Sequence, residues 1–344
     1  MTDISRTFPG REWERAGPEE VGFDAERLAG VGQWQAEHAA GAPYRLLVAR
    51  HGRLVAEWHG GGIGPDDLQP QASASKSTYA TVLGIVVEEG MIPSVDARVA
   101  DYYREMLDVA PGEGPKDGRH VFPENSEITF RQLIGNTSGY MKPGEAPGRV
   151  FHYQTFGMNI LTHALAALHS LYKTDEPERG PGFGKLAEWR VRNPIGGTWT
   201  YRYSNFDLHP MAKQAVFGYA TTFLMTARDM ARLGLLWLND GRWGGRQVAP
   251  AEWVREATRV SDMVVGQEPE ATWRYGLGFW CNDREILWPA LPRQSFAAVG
   301  AGKQFIWVDR AHDLVVVQSP GTFSGSFSPA DGAEAAQRVL GALA

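Results

Sequence analysis

The sequence predicts an α+β fold, in which an antiparallel sheet from both ends of the chain is flanked by helices and an inserted helical lobe separates its two parts. Two observations predict it: strand-like runs lie near both ends of the chain, and helical periodicity dominates the middle. Such strands can bury their apolar faces in one shared sheet. We therefore expect one domain over residues 1–344, with a sheet lobe of about 1–71 and 230–344 and a helical lobe of about 72–229.

The N-terminal part is predicted to form a helix followed by a hairpin. A helix-like segment starts near Glu26, and two apolar runs, Tyr44–Arg50 and Arg53–Trp58, flank His51-Gly52. Two apolar runs around a short turn that contains glycine are typical of a β-hairpin.

The middle of the chain is predicted to be mostly helical. Ser73–Glu89 has apolar residues at helical spacing and is followed by Gly90, which suits a helix C-terminus. Thr155–Leu171 and Ala227–Asn239 are two further predicted helices.

The C-terminal part returns to strands. Apolar, aromatic and β-branched residues predict strands over Trp273–Trp280, Lys303–Asp309 and Asp313–Gln318. Ala330–Ala344 is expected to form a closing helix.

Composition and charge exclude several classes of function. The 344 residues have a formal net charge of −6, whereas a nucleic-acid-binding protein usually has a basic surplus. No run approaches the roughly 20 apolar residues that span a bilayer, and residues 1–8 lack the apolar core of a secretory signal. The single cysteine, Cys281, excludes an intrachain disulfide. We therefore expect a cytoplasmic protein that binds neither nucleic acid nor membrane.

The strongest chemical signal is Ser73-Ala74-Ser75-Lys76, an S-x-x-K sequence at the start of a predicted helix. Residues i and i+3 share a helix face, so the Ser73 hydroxyl and the Lys76 amine can meet. A serine hydroxyl is a weak nucleophile until a base removes its proton, and a buried lysine can serve as that base. The helix N-terminus adds positive potential where an oxyanion would develop. We predict that Ser73 is a nucleophile and that Lys76 transfers its proton.

Five other segments accompany this sequence in order: Gly17–Asp24, Leu133–Tyr140, Thr226–Gly234, Gly241–Pro250 and Tyr275–Trp280. S-x-x-K alone also fits a capping serine and a solvated lysine, so these segments decide between the two interpretations. Together they resemble the serine β-lactamase and penicillin-binding-protein family, especially its class C-like esterase and amidase members. The resemblance implies a β-lactamase/transpeptidase-like fold with substrate in a cleft between the lobes.

The resemblance also implies a tyrosine that shares protons with the lysine, in a Tyr-x-Asn motif. Two sites compete for this role. Tyr203-Ser204-Asn205 matches the letters, but it follows Asn193–Gly196 and so comes too late in the family's order. Tyr153 matches the setting, because it follows a Pro-Gly-x-x-Phe-x pattern and precedes a predicted helix. Tyr153 is favoured, with Thr155 in place of the substrate-binding asparagine and Tyr203 as a residue that lines the cleft.

A third motif of the family, Lys-Thr-Gly on a strand beside the nucleophile, aligns with Ala298-Val299-Gly300. Glycine at position 300 suits a close approach of substrate to the backbone. The backbone N–H of Ala301 could then form an oxyanion hole with that of Ser73. The cationic side chain that grips the carboxylate of penicillins is absent, unless Lys303 reaches back. This departure favours an esterase or amidase over a β-lactamase.

The sequence therefore predicts a serine hydrolase that cleaves a small-molecule ester or amide without a metal or an organic cofactor. An acyltransferase on the same scaffold remains an alternative, and so does a β-lactamase or D-amino-acid peptidase. Outside the enzymes, the alternative is a catalytically silent binding protein. The natural substrate and the oligomeric state stay open.

Overall fold

The computed structural model of the protein describes residues 5–204, 212–267, 269–319, 328–330 and 332–344. Its strands are β1 (Tyr44–Arg50), β2 (Arg53–Gly60), β3 (Gln69–Pro70), β4 (Thr200–Ser204), β5 (Ala220–Met225), β6 (Arg242–Trp243), β7 (Arg246–Gln247), β8 (Trp280–Cys281), β9 (Ser295–Gly300), β10 (Gln304–Asp309) and β11 (Leu314–Gln318). Its α-helices are α1 (Ala25–Ala39), α2 (Ser75–Glu88), α3 (Phe130–Ile134), α4 (Phe156–Leu168), α5 (Gly182–Ala187), α6 (Gln214–Phe217), α7 (Ala227–Leu238), α8 (Ala251–Ala257) and α9 (Ala333–Gly341). No helix within these ranges is both long and apolar enough to cross a membrane.

The central sheet joins strands from both ends of the chain. Its six strands run in the order β2-β1-β11-β10-β9-β8, and each neighbouring pair is antiparallel. The N-terminal strand β1 pairs with the C-terminal strand β11, with Leu46 opposite Gln318. The predicted α+β fold, with its antiparallel sheet from both termini, is confirmed.

Helical layers cover both faces of this sheet. Successive side chains of a strand point to opposite faces, so Leu46 and Val48 pack in the layer of α1 and α9. Leu47 and Ala49 pack in the other layer, where α7 crosses β1, β10 and β11. Burial of a leucine or valine contributes about 1.5–3 kcal/mol, which explains why the middle of β1, from Leu46 to Ala49, is entirely apolar. Helix α2 lies in the second layer, beside β9.

Most of the predicted elements are confirmed. The hairpin turns at His51-Gly52, where both residues have positive φ values of 52° and 74°. The helices expected near Glu26, after Thr155, from Ala227 and before the C-terminus are α1, α4, α7 and α9. The helix expected from Ser73 begins later, because a 3₁₀ turn over Ala72–Ala74 precedes α2.

Two expectations about strands differ from the structure. The strand predicted over Trp273–Trp280 is wrong, because β8 begins only at Trp280. A Cβ atom on Gly276 would lie 2.4 Å from the carbonyl oxygen of Ala257, so this glycine marks a close backbone contact in a tight turn. The segment predicted as mostly helical also contains β4 and β5, which form a small sheet in the order β3-β5-β4.

Candidate active site

Ser73 and Lys76 meet at the N-terminal end of α2. Ser73 lies in the 3₁₀ turn, in which residues three positions apart point the same way. The Lys76 Nζ atom donates a hydrogen bond of 2.7 Å to Ser73 Oγ. Lys76 is only 3% exposed, whereas Ser73 is half-buried. Ser73 is therefore partly accessible to solvent, whereas Lys76 lies almost entirely inside the protein.

The turn that carries Ser73 has a strained backbone and is held by hydrogen bonds to a neighbouring strand. Ala72 has a φ of 46°, a left-handed conformation that costs a residue with a Cβ atom about 1–2 kcal/mol. The neighbouring strand β5 holds the turn on both sides: the Gln71 N–H donates to the Phe223 carbonyl at 2.9 Å, and the Phe223 N–H donates to Ser75 Oγ at 3.5 Å. Such strain persists only where surrounding contacts impose it, and it is often found at functional sites.

Tyr153 lies against the Lys76 amine. The Nζ atom is 4.7 Å from the centre of the tyrosine ring. Two further rings fix the position of this ring, with centre-to-centre distances of 5.7 Å to Tyr275 and 5.4 Å to Trp280. The structure thus brings Ser73, Lys76 and Tyr153 into one cluster.

Asn136 holds the segment on which Tyr153 lies. Its backbone carbonyl accepts a hydrogen bond from the His152 N–H at 2.8 Å, and its side-chain Oδ1 accepts one from the Gln154 N–H at 3.0 Å. Asn136 is buried and has a φ of 56°, which asparagine tolerates better than most residues. The Gln154 side chain also donates to Ser138 Oγ at 3.3 Å. The Asn136–Ser138 stretch therefore supports the tyrosine.

Tyr203 is engaged elsewhere. Its hydroxyl accepts a hydrogen bond from the Gly184 N–H at 3.1 Å and donates one to the Pro181 carbonyl at 2.5 Å. Burial raises the pKa of Tyr203 well above its usual range. Among the described residues, no hydrogen bond joins Tyr203 to Ser73 or Lys76. Asn205, the last residue of the Tyr203-Ser204-Asn205 match, lies outside the described residues.

Gly300 brings β9 against the 3₁₀ turn that carries Ser73, the predicted nucleophile. A Cβ atom at Gly300 would lie 2.2 Å from the Gln71 carbonyl oxygen and 3.2 Å from the Ser73 nitrogen, so only glycine permits this approach. Ala301 follows in the turn to β10 and is exposed. Lys303, in the same turn, is also exposed and has a φ of 57°.

Two other residues considered from the sequence lie close by along the chain. Thr155 is half-buried at the N-terminal end of α4, two positions after Tyr153. Ala298 is fully buried in β9, two positions before Gly300 and on the same face of the sheet.

Three residues that build this site, Asn136, Tyr275 and Trp280, were not predicted as site residues from the sequence. The signal for Asn136 was available, since an asparagine before Thr-Ser-Gly suits a left-handed position. Tyr275 and Trp280 were hidden by the strand predicted there, in which their rings would have pointed to opposite faces.

Comparison with known proteins places this arrangement in a family. The family model described as Beta-lactamase matches residues 32–342. The chain therefore belongs to the Beta-lactamase family of hydrolases, as the resemblance of its motifs implied.

Individual relatives are more distant. A 6-aminohexanoate-dimer hydrolase from Paenarthrobacter ureafaciens is 25% identical over 299 residues, which cover 79% of this chain and 71% of that protein. The structure of a family VIII carboxylesterase is 18% identical, with a TM-score of 0.65 over 96% of this chain and 98% of that one. EstCE1, described as a hydrolase with promiscuous acyltransferase activity, is 14% identical, with a TM-score of 0.64 over 93% of this chain and 98% of that one. The two structural matches reflect a shared fold.

Proposed function

We propose that this chain is a serine hydrolase that cleaves an ester or amide bond of a small molecule through an acyl-enzyme on Ser73. The observation that supports it most is the 2.7 Å hydrogen bond between the buried Lys76 amine and the half-buried Ser73 hydroxyl. A nucleophile within hydrogen-bonding distance of a base is the usual arrangement for covalent catalysis.

Acylation follows from this arrangement. Ser73 Oγ attacks the carbonyl carbon of the substrate as its proton passes to the Lys76 amine. The electron pair of the carbonyl moves to its oxygen, which accepts hydrogen bonds from the backbone N–H groups of Ser73 and Ala301. When the carbonyl re-forms, the ester C–O or amide C–N bond breaks, and the leaving group takes a proton through Lys76 and Tyr153. The acyl group then remains on Ser73.

Deacylation repeats these steps with water. A water molecule gives a proton to Lys76 or Tyr153 and attacks the acyl carbon, and Ser73 Oγ recovers a proton as it leaves. The product is the free acid. Thr155 and Tyr203 are proposed to contact the substrate beside these groups.

Small esters and amides are the proposed substrate class. The names of two matched proteins, a 6-aminohexanoate-dimer hydrolase and a carboxylesterase, cover an amide and an ester reaction on small molecules. We further propose that one catalytic domain over residues 1–344 performs the reaction, with sheet and helical lobes as predicted. A cytoplasmic location remains a prediction from the sequence.

Acyl transfer is the second candidate, because EstCE1 is described as a hydrolase with promiscuous acyltransferase activity. The acyl-enzyme is common to both reactions, and an alcohol or amine would replace water in the second step. Product analysis with p-nitrophenyl acetate and increasing concentrations of a primary alcohol separates them. A rising fraction of the acetate ester at constant p-nitrophenol release indicates transfer.

A fluorophosphonate probe tests the proposed function directly. We expect intact-protein mass spectrometry to detect one adduct, and peptide mapping to locate it on Ser73. Ser73→Ala should abolish both the adduct and the hydrolysis of p-nitrophenyl esters, whereas Ser94→Ala, which changes an exposed serine, should affect neither. Labelling of Ser75 or Ser138 with Ser73 unmodified would contradict the proposal, and a wild-type protein without labelling or turnover would favour the silent binding protein.

A further inference from the structure

Four residues form a continuous row across the central sheet, from β1 to the nucleophile turn. The strand registers place Arg45 beside Ser319, Ser319 beside Gln304, and Gln304 opposite Gly300. All four lie on the sheet face that carries α7 and α2, because they continue the alternation of neighbours such as Leu47. The row ends where Gly300 contacts the backbone of the Ser73 turn.

Side-chain hydrogen bonds run along this row. The Arg45 Nη2 atom donates to Ser319 Oγ at 2.8 Å, and Ser319 Oγ donates to Gln304 Oε1 at 2.7 Å. The Gln304 side-chain nitrogen in turn contacts the Gly302 carbonyl at 3.4 Å. The row therefore reaches the turn that carries Ala301.

The same guanidinium also binds the segment that leads to Ser73. Its Nη1 atom donates to the Asp67 carbonyl, two residues before β3, and its Nη2 atom contacts the Met225 carbonyl at 3.3 Å. Met225 pairs with Gln69 in the small sheet. Arg45 thus contacts both segments that would frame the oxyanion: the one that leads to the Ser73 turn and, through Ser319 and Gln304, the one that contains Ala301.

Burial makes this arrangement unusual for an arginine. Arg45 is 1% exposed, and within the described ranges it forms no salt bridge. Burial lowers the pKa of Arg45 to about 10, so the side chain is still charged at neutral pH. Burial of a charge is costly unless hydrogen bonds offset it, and here the two Nη atoms bond two backbone carbonyls and one hydroxyl, whereas Nε has no partner among the described residues. An apolar residue would fill the same space at a lower desolvation cost. The role that needs an arginine is therefore to hold the bonded segments in a fixed geometry.

We propose that Arg45 is a positioning residue for the reaction: through Ser319 and Gln304 it holds the Ala301 turn at a fixed distance from the Ser73 turn. The inference rests on the proposed function. The two backbone N–H groups come from two separate turns, one over Ala72–Ala74 and one between β9 and β10, and must point at one oxygen atom. Misplacement of a reacting group by about 1 Å can cost about 10²-fold in rate.

Ser319→Ala tests the inference, because it removes the bridging hydroxyl and leaves a small side chain in the sheet. The matched control is Ser295→Ala, which removes another buried serine hydroxyl at the far end of β9, where it bonds the Pro292 carbonyl. Arg45→Lys and its control Arg50→Lys form a second pair, since Arg50 lies at the other end of β1 and also binds backbone carbonyls.

Two quantities are measured in each variant: the rate constant of fluorophosphonate labelling per active site, and the hydrogen exchange of the amides of residues 300–304. We expect Ser319→Ala to slow labelling by about 10-fold or more and to accelerate exchange in this segment, with both near wild type in Ser295→Ala. Arg45→Lys should behave like Ser319→Ala, and Arg50→Lys like the wild type.

Three results would overturn the inference. Unchanged exchange at residues 300–304 would mean that the row does not hold the turn. Faster exchange with unchanged labelling per active site would mean that the held position does not matter to the reaction. An equal loss in both serine variants would mean a general effect on stability. Failure of the proposed function can be distinguished from these results, because the wild-type protein itself would then not be labelled at Ser73.

Discussion

At the scale of single residues, the Lys76 amine is a basic group that lies within hydrogen-bonding distance of Ser73 Oγ. General-base catalysis contributes about 10²–10⁴-fold to a rate. We therefore expect Lys76→Ala to slow acylation by about 10²-fold or more, measured as the pre-steady-state burst with a p-nitrophenyl ester. Lys173→Ala, which removes an exposed amine, serves as the control. Acylation of Lys76→Ala at a rate near that of the wild type would contradict the assignment.

The two tyrosines should respond differently to loss of their hydroxyl groups. Tyr153 contacts the Lys76 amine through its ring, whereas the Tyr203 hydroxyl is bonded to the Pro181 and Gly184 backbone. We expect Tyr153→Phe to lower kcat by about 10²-fold with little change in the free energy of unfolding. Tyr203→Phe should instead lower that free energy by about 1–2 kcal/mol and change kcat little. Steady-state kinetics and urea unfolding on both variants decide it, and the opposite ranking would make Tyr203 the proton relay.

At the scale of elements, the end of β9 has no room for a side chain. Because a Cβ atom at Gly300 would lie 2.2 Å from the Gln71 carbonyl oxygen, Gly300→Ala must push β9 away from the nucleophile turn. We expect kcat/KM for p-nitrophenyl acetate to fall by about 10²-fold. Gly30→Ala is the control, since that glycine lies within α1 with no atom within 4 Å of its would-be Cβ, and alanine there should stabilise the helix by about 1 kcal/mol. Full activity in Gly300→Ala would mean that β9 does not frame the site.

The same strand predicts weak activity on β-lactam antibiotics. These compounds have a carboxylate near the reacting carbonyl, and the alignment inferred from the sequence puts Ala298, which is buried in β9, where the family's β-lactamases have lysine. A charge-assisted hydrogen bond contributes about 1.5–3 kcal/mol, or about 10- to 150-fold. We therefore expect kcat/KM for nitrocefin to lie well below that for p-nitrophenyl acetate on the same preparation. Comparable or higher values for nitrocefin would mean that the alignment of the third motif is wrong.

Features that depend on residues close together in the sequence could be predicted, whereas features that depend on contacts between distant segments could not. The pairing of Ser73 with Lys76 follows from spacing within one turn, and β10 and β11 follow from β-branched runs, so both were predictable. The pairing of β3 with β5, which joins Gln69 to Met225, was missed because the two strands lie far apart along the chain. The rings around Tyr153 were missed because Trp280 reaches it through tertiary packing. The row from Arg45 to Gly300 depends on strand register, which a single sequence does not specify.

At the scale of the whole molecule, a buried histidine should make stability depend on pH. His163 lies within α4, where its Nε2 atom is 2.7 Å from the Gly218 carbonyl oxygen and its ring stacks on Tyr172. Burial lowers the pKa of His163 from 6.5 to about 4. The folded state therefore resists a proton that the unfolded state accepts, so the stability from this group is complete above pH 6.5 and is lost as the pH falls toward 4.

The size of this loss follows from the pKa difference. At about 1.4 kcal/mol per pKa unit, it approaches about 3 kcal/mol near pH 4. Urea unfolding at several pH values between 7.5 and 4.5 measures it, and His163→Gln, which retains an N–H donor but does not titrate, should flatten the curve. An equally steep curve in that variant would assign the acid sensitivity to other groups.

The central sheet also dictates when activity can arise during synthesis. Strand β1 leaves the ribosome long before its partner β11 and before the strand that ends at Gly300. Pairings between distant parts of a chain close slowly, and their unpaired strand edges stay open until then. A nascent chain that already contains Ser73 and Lys76 therefore lacks the strand that would complete the oxyanion site. The nucleophile is made first and becomes competent last, so an unfinished chain has little capacity to acylate itself.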